Sequence, residues 1–205
     1  MPVLLKIDSS VDGAPSRTRR LTAGLAESWR SRGHDYTVVT RDLHRDPPPV
    51  MVASAQHWPE RLRDGAQLDP ALEAAQSSAI AELLAADAVV IGVPMYNYAM
   101  PATLKAWIDL VHVPGVTAPF DVESRPLAGR PAVLVAARGG TDDDGGFAHA
   151  LGSLELTIGS GLGMHVRTIT TSRTLADRVP ALGEQLAEDE LETALAQARA
   201  LGATL

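Results

Sequence analysis

Five apolar runs suited to buried strands divide the chain: Val3–Ile7 ("VLLKI"), Tyr36–Val39, Ala88–Val93 ("AVVIGV"), Ala132–Ala137 ("AVLVAA") and, roughly, Met164–Thr170. Helical spacing fills the intervals between them. In the first interval Leu21, Leu25 and Trp29 recur every fourth residue, with Ser16 as N-cap and Gly33 as stop. In the second, Asp69 and Pro70 supply the cap and first-turn proline, and Leu72, Ile80, Leu83 and Leu84 the apolar face. The third helix opens at Pro101 and carries Leu104, Ile108 and Val111, while a fourth and a fifth are expected near Ala148–Gly159 and Pro180–Gly202.

Strand and helix therefore alternate five times, the pattern of an α/β domain in which a parallel sheet is covered by helices on both faces. Right-handed crossovers leave few topologies, and the most economical is a flavodoxin-like, doubly wound five-stranded parallel sheet in the order 2-1-3-4-5. Ligands in such sheets bind at the carboxyl ends of the strands beside the switch in strand order, which puts a site on strands 1, 3 and 4. At 205 residues the chain is expected to form one domain, residues 1–205. The least regular stretch, from "HRDPPPV" at His44 to Leu68, is too long for a simple connection and reads as a functional or interaction segment.

Composition removes several function classes. No apolar stretch reaches the roughly 18 residues that a membrane helix needs, and "MPVLLKIDSS" lacks the basic flank of a secretory signal, so a cytoplasmic location is expected. Cysteine is absent, which excludes disulfides, a thiolate nucleophile and cysteine-held metal. With net charge −7 and its 16 arginines scattered, the chain is a poor candidate for nucleic-acid binding. There is no G-x-S-x-G elbow and no paired histidine motif for zinc, and no metal site is expected; the acidic triplet Asp142–Asp144 reads as a solvated loop.

Three stretches at the predicted strand ends carry candidate chemistry. After strand 1, "DSSVDGAPSRTRR" places Ser10, Ser16 and Thr18 around a helix N-terminus, with the Arg17 charge adjacent; this is either a plain Ser-capped helix or a site for a phosphate monoester. After strand 3, "PMYNYAMP" follows a buried run with two tyrosines and an asparagine between prolines. After strand 4, "ARGGTDDDGG" offers glycines past which backbone can approach a ligand closely. Each could be an ordinary turn. Together on one sheet edge they suit a planar heterocycle bearing a phosphate, and favour a flavin mononucleotide.

The stretch "PMYNYAMPATLKAWIDLV", with "GVT" at Gly115–Thr117, resembles the hallmark of the FMN-dependent NADH:quinone oxidoreductase and azoreductase family; "KIDSS…SRT", "VTRDL" and "ARGG" are similar to that family's other elements. The resemblance spans nearly the whole chain. It implies a flavodoxin-like fold, FMN as cofactor, NADH or NADPH as donor, and a quinone or azo compound as acceptor. It also implies a homodimer with active sites at the interface. By the same resemblance, Ser10, Ser16, Arg17 and Thr18 hold the phosphate, Pro94, Met95, Tyr96, Asn97 and Tyr98 line the ring, and Ala137, Arg138, Gly139 and Gly140 close its far side. Ala137 stands where the family usually has serine. Ala118 and Pro119 interrupt the usual aromatic continuation, leaving Phe120 to cover the substrate.

The implied reaction is a two-electron ping-pong, in which the nicotinamide gives its hydride and departs before the acceptor is reduced. The flavin carries the chemistry and no catalytic side chain is demanded. Two alternatives stay open on the residues alone: a flavodoxin-type electron carrier with no nicotinamide substrate, and a tailoring reductase for a specialised quinonoid metabolite.

Overall fold

The computed structural model describes residues 1–205. Strands β1 (Val3–Asp8), β2 (Thr37–Asp42), β3 (Ala88–Pro94), β4 (Pro131–Ala137) and β5 (His165–Thr171) alternate with helices α1 (Arg17–Arg30), α2 (Pro70–Ala85), α3 (Ala102–Val111), α4 (Gly146–Leu154) and α5 (Glu184–Gly202). All strand pairs are parallel and the sheet order is β2-β1-β3-β4-β5, as the alternation predicts. Every residue of β3 is buried, whereas no residue of the edge strand β2 is. That contrast explains why "AVVIGV" reads as an unbroken apolar run.

Period-two alternation sends neighbouring side chains to opposite layers. Leu5, Ile7, Val89, Ile91, Leu134 and Ala136 pack with Leu83, Leu104, Trp107 and Leu154 from the α2, α3 and α4 side. On the other face Leu4, Val90, Val133 and Ile169 meet Leu21, Leu25 and Trp29 of α1 and Leu191, Ala194 and Ala198 of α5. Burying one such leucine contributes about 1.5–3 kcal/mol. The α1–α5 contact is close enough to need a glycine: a Cβ on Gly202 would lie 2.2 Å from the Leu25 carbonyl oxygen. No helix is long and apolar enough to cross a membrane.

Several expected boundaries shift. Helix α1 stops at Arg30 with Ser31 as its cap, before Gly33, because the next N–H groups bond three residues back instead of four, Arg32 to the Trp29 carbonyl at 3.2 Å and Gly33 to that of Arg30 at 3.4 Å. On α2 the buried line is Gln76, Ala79 and Leu83; Leu72, Ile80 and Leu84 are only half-buried. The helix is rotated because Gln76 Nε2 is drawn inward, donating to the Gln56 carbonyl at 2.8 Å and the Leu110 carbonyl at 3.2 Å. Polar satisfaction thus outweighs apolar periodicity on this helix. The fourth helix begins two residues early at Gly146 and continues from Glu155 to Gly161 as a wider π turn. Within the 44–68 segment, short turns at Ser54–His57 and Glu60–Leu62 seat a fully buried Gln56 against the body of the protein.

Candidate active site

Beyond β1 the chain stays buried for two more residues, with Ser9 and Ser10 almost without exposure. Ser9 Oγ donates to the Gly92 carbonyl at 2.7 Å, which ties this loop to the end of β3. A turn closed by Ser16 N–H on the Gly13 carbonyl at 3.1 Å then launches α1. Ser16 is the N-cap the sequence predicts: its hydroxyl accepts the Arg19 N–H at 3.3 Å and lies 3.1 Å from Thr18 Oγ1. The Arg17 and Thr18 N–H groups have no backbone acceptor, as the first turn of a helix requires. Hydroxyls, free N–H groups and the positive end of the helix dipole therefore converge at one point.

Strand β3 ends differently. Met95 N–H bonds the Ala137 carbonyl at 2.7 Å, and Tyr96 and Ala99 exchange backbone bonds of 3.0 and 3.1 Å around Asn97 and Tyr98. Both enclosed residues have positive φ, 51° and 64°. This is a two-residue hairpin turn of the primed kind, for which Asn is well suited and Tyr is not; the left-handed conformation costs a tyrosine about 1–2 kcal/mol. Local strain of this sort marks a backbone held for a purpose. Tyr96 reaches back across the cleft, where its Oη accepts the Val11 N–H at 3.1 Å and lies 3.4 Å from Ser10 Oγ.

The third wall follows β4. The carbonyls of Arg138, Gly139 and Gly140 accept N–H bonds from Thr174, Leu175 and Arg173 at 3.0, 3.2 and 2.8 Å, while the Gly139 and Gly140 N–H groups donate to no other backbone carbonyl. Arg138 is buried and clamped. Its Nη1 donates to Asp142 at 2.8 Å and to Asp144 at 2.5 Å, its Nη2 to Asp144 at 3.2 Å, and its buried Nε finds no acceptor. Hydrogen bonding from Arg138 holds the Asp144 carboxyl down at about 2, and the same bonds raise the guanidinium. Asp142 and Asp144 also accept the Phe147 and Gly146 N–H groups and so cap α4. The acidic loop is thus engaged by the protein, correcting the expectation of a merely solvated run: the buried arginine recruits Asp142 and Asp144, and Asp143 accepts the Thr141 hydroxyl at 2.8 Å. A Cβ on Gly146 would lie 2.3 Å from Arg138 Nη1, so a glycine there makes room for the clamp.

These walls enclose a cleft of about 400 Å³, a volume within the usual range of small-molecule sites. Of the residues expected from the sequence, Ser10, Ser16, Arg17, Thr18, Pro94, Met95, Tyr96, Ala137, Arg138 and Gly139 line it. Asn97, Tyr98 and Gly140 lie just outside it, Tyr98 touching the clamp through an Oη contact to Asp144 at 3.4 Å. Phe120 is exposed and stacks at 5.1 Å on Trp58 of the 44–68 segment, away from the cleft lining. The Arg17 guanidinium is engaged within the protein: it donates to the Ser172 and Ala187 carbonyls at 3.1 and 2.8 Å, and burial lowers its pKa. The carbonyls of Ser172, after β5, and of Ala187, within α5, claim that charge.

The cleft also takes Asp12 and Pro15 from the first loop and Thr174, Leu175, Asp177 and Arg178 from the segment after β5. The last four carry no motif. Only topology points to them, since in a parallel sheet every strand delivers its following loop to the same edge.

The whole arrangement has known counterparts. The chain matches the family model for the flavodoxin-like fold over residues 3–201. It is 48% identical to the FMN-dependent NADH:quinone oxidoreductase of Kineococcus radiotolerans, with 100% of both chains covered. This chain belongs to the FMN-dependent NADH:quinone oxidoreductase family. A second family member, from Streptomyces coelicolor, shares 39% identity over 91% of this chain and 86% of its own. The same fold appears in the crystal structure of an azoreductase from Bacillus anthracis str. Sterne, with a TM-score of 0.78, 22% identity and 100% of both chains covered. An FMN-dependent NADH-azoreductase from Bacillus anthracis str. Ames Ancestor, solved in complex with FMN, superimposes with a TM-score of 0.73 at 20% identity over 97% of this chain and all of that one.

Proposed function

We propose that this chain is an FMN-dependent oxidoreductase that takes electrons from NADH and passes them, two at a time, to a quinone or an azo compound. The observation that carries the reading is a single cleft in which a hydroxyl-lined helix N-terminus meets an aromatic turn and a glycine wall. Full-length identity of 48% with a quinone oxidoreductase supports the reaction class.

The residues present fit FMN. Ser10, Ser16 and Thr18, with the partnerless Arg17 and Thr18 N–H groups, would hold a phosphate monoester. The free Gly139 and Gly140 N–H groups and the orphaned Arg138 Nε are donors that the heteroatoms of a flavin ring would satisfy, facing the wall of Pro94, Met95 and Tyr96. When bound, FMN supplies hydride acceptance and two-electron donation; the protein supplies position and electrostatics. Ala137 has no hydroxyl to offer, which leaves ring recognition on this side to backbone N–H groups. Met95 and Leu175 would exclude water from the ring.

We also read the chain as a cytoplasmic homodimer with its active sites at the interface. The family resemblance supports this, as do Val50, Val52 and Phe120, apolar side chains exposed by more than half that a second copy would cover.

The test is anaerobic. Protein saturated with FMN and given stoichiometric NADH should lose its flavin colour, then recover it on addition of menadione or methyl red. Bound flavin that NADH does not bleach would replace the reductase by an electron carrier, and protein that binds no FMN would remove both readings.

A further inference from the structure

Arg19 is absent from the residues expected to contact the cofactor, yet its side chain holds two carbonyls of the first loop. It leaves the first turn of α1 and folds back over residues 10–12. Its Nη2 donates to the Ser10 carbonyl at 2.8 Å and its Nε to the Asp12 carbonyl at 2.8 Å. The same guanidinium is held in a two-pronged bond by Asp42 at the end of β2, at 2.7 and 2.9 Å, with Asp8 3.5 Å away. Asp42 is itself fixed, since its Oδ1 accepts the His44 and Arg45 N–H groups at 3.1 and 3.3 Å. Arginine is the residue suited to this task, because one rigid fork satisfies a carboxylate and two carbonyls at once.

The consequence follows from peptide geometry. A trans peptide is planar, with its C=O and N–H on opposite sides. When Arg19 draws the Ser10 carbonyl outward, the Val11 N–H must face the other way, and it does: it donates to Tyr96 Oη at 3.1 Å, on the cleft side. A carbonyl facing the cleft would instead present negative charge to an anion. We propose that Arg19, locked by Asp42, is a positioning residue that holds the Ser10 and Asp12 carbonyls away from the cleft, so that these acceptors do not face its phosphate end. The inference rests on the FMN reading above and extends it to residues that do not touch the ligand. It also gives the "VTRDL" stretch a use: Asp42 anchors the fork. The paired bonding is strong enough to outweigh burial, with Arg19 raised and Asp42 held down at about 2, each chiefly by hydrogen bonding to the other.

The experiment compares FMN with riboflavin, which has the same ring and no phosphate. Dissociation constants for both are measured by flavin fluorescence on wild-type protein and on Arg19→Gln, Arg19→Lys and Asp42→Asn. Arg19→Gln should weaken FMN about tenfold, equivalent to ~1.4 kcal/mol, while riboflavin changes less than about twofold. Asp42→Asn should move the same ratio by a smaller factor, and Arg19→Lys should restore part of it. Riboflavin affinity reports whether each variant keeps a folded ring site, so a general loss of structure is recognised by equal weakening of both ligands. Equal weakening in all three variants, or an unchanged FMN-to-riboflavin ratio, overturns the proposal. Wild-type protein that binds neither flavin would instead overturn the cofactor reading on which it rests.

Discussion

The two ends of the cleft are built on opposite plans. At the phosphate end, Ser9, Ser10, Ser16 and Thr18 are buried, and each hydroxyl has a partner within the protein. Behind them Asp8 accepts from Thr22 Oγ1 at 2.8 Å, is paired with Lys6 and stands beside the Arg19–Asp42 fork. On the rim just outside the opposite end, Tyr98 is 56% exposed, Asn97 and Tyr98 carry left-handed backbone, and nothing lies within 4 Å of a Cβ built on Gly140. A phosphate is small, charged and invariant, so a prebuilt lattice of donors serves it without reorganisation. On the proposed reaction the rim above the ring admits two chemically different partners in turn, and an open rim can accommodate both.

The sharpest way to break the contrast is to cut the lattice at its most buried charge. Asp8→Ala leaves Lys6 and Arg19 short of a partner and should lower stability by about 3 kcal/mol, read from urea unfolding of the ligand-free protein. A loss below about 1 kcal/mol would mean that the phosphate end is not a cooperative lattice. Ser16→Ala comes next: removing the N-cap should cost about 1 kcal/mol in the same measurement and weaken FMN more than riboflavin.

At the opposite end the sign should reverse. Tyr98→Gly relieves a left-handed tyrosine and should raise the stability of the ligand-free protein by about 0.5–1 kcal/mol, because the ring contact it gives up with Arg138, at 5.8 Å, is an exposed one. If the variant is instead less stable than wild type, the turn is not strained in the way proposed. The smallest effect is expected from pH. Asp42 and Asp144 are both depressed to about 2, each by its arginine, so the stabilisation they bring is complete above the usual carboxylate range and is lost only as pH falls through about 2. The stability difference between wild type and Asp42→Asn, read from urea unfolding of the ligand-free protein, should therefore stay flat between about pH 8 and about pH 5. A step inside that window would assign the difference to some other titrating group.

How much of this was legible differs along the chain. The strands were readable because parallel strands buried on both faces are nearly uniform in hydrophobicity, and the caps at Ser16 and Asp69 because short polar side chains bond the next turn. The rotated face of α2 was not, since Gln76 is polar and its two carbonyl partners lie on the 44–68 segment and on α3, far away in sequence. The cleft divides in the same manner. Ser10, Tyr96 and Gly139 sit in recognisable motifs, whereas Thr174, Leu175, Asp177 and Arg178 reach it only because β5 ends on the same edge. Arg17 divides between the two: its place at the start of α1, and so in the cleft lining, is local, while its guanidinium is engaged by the distant carbonyls of Ser172 and Ala187.

By itself, then, the sequence determined the alternation of strand and helix, the order of the sheet, the edge on which the cleft lies and the family to which the chain belongs. These follow from periodicity, capping and local motifs, which act over a few residues. Only the tertiary structure decided which charges face the cleft and which stand behind it: Arg17 engaged within the protein, Arg138 clamped by its own loop, Arg19 bridging β2 to the first turn of α1. A guanidinium on a long side chain can reach several acceptors within a few ångströms, and which of them are near is set by the packing of distant segments, not by the residue's neighbours in the chain.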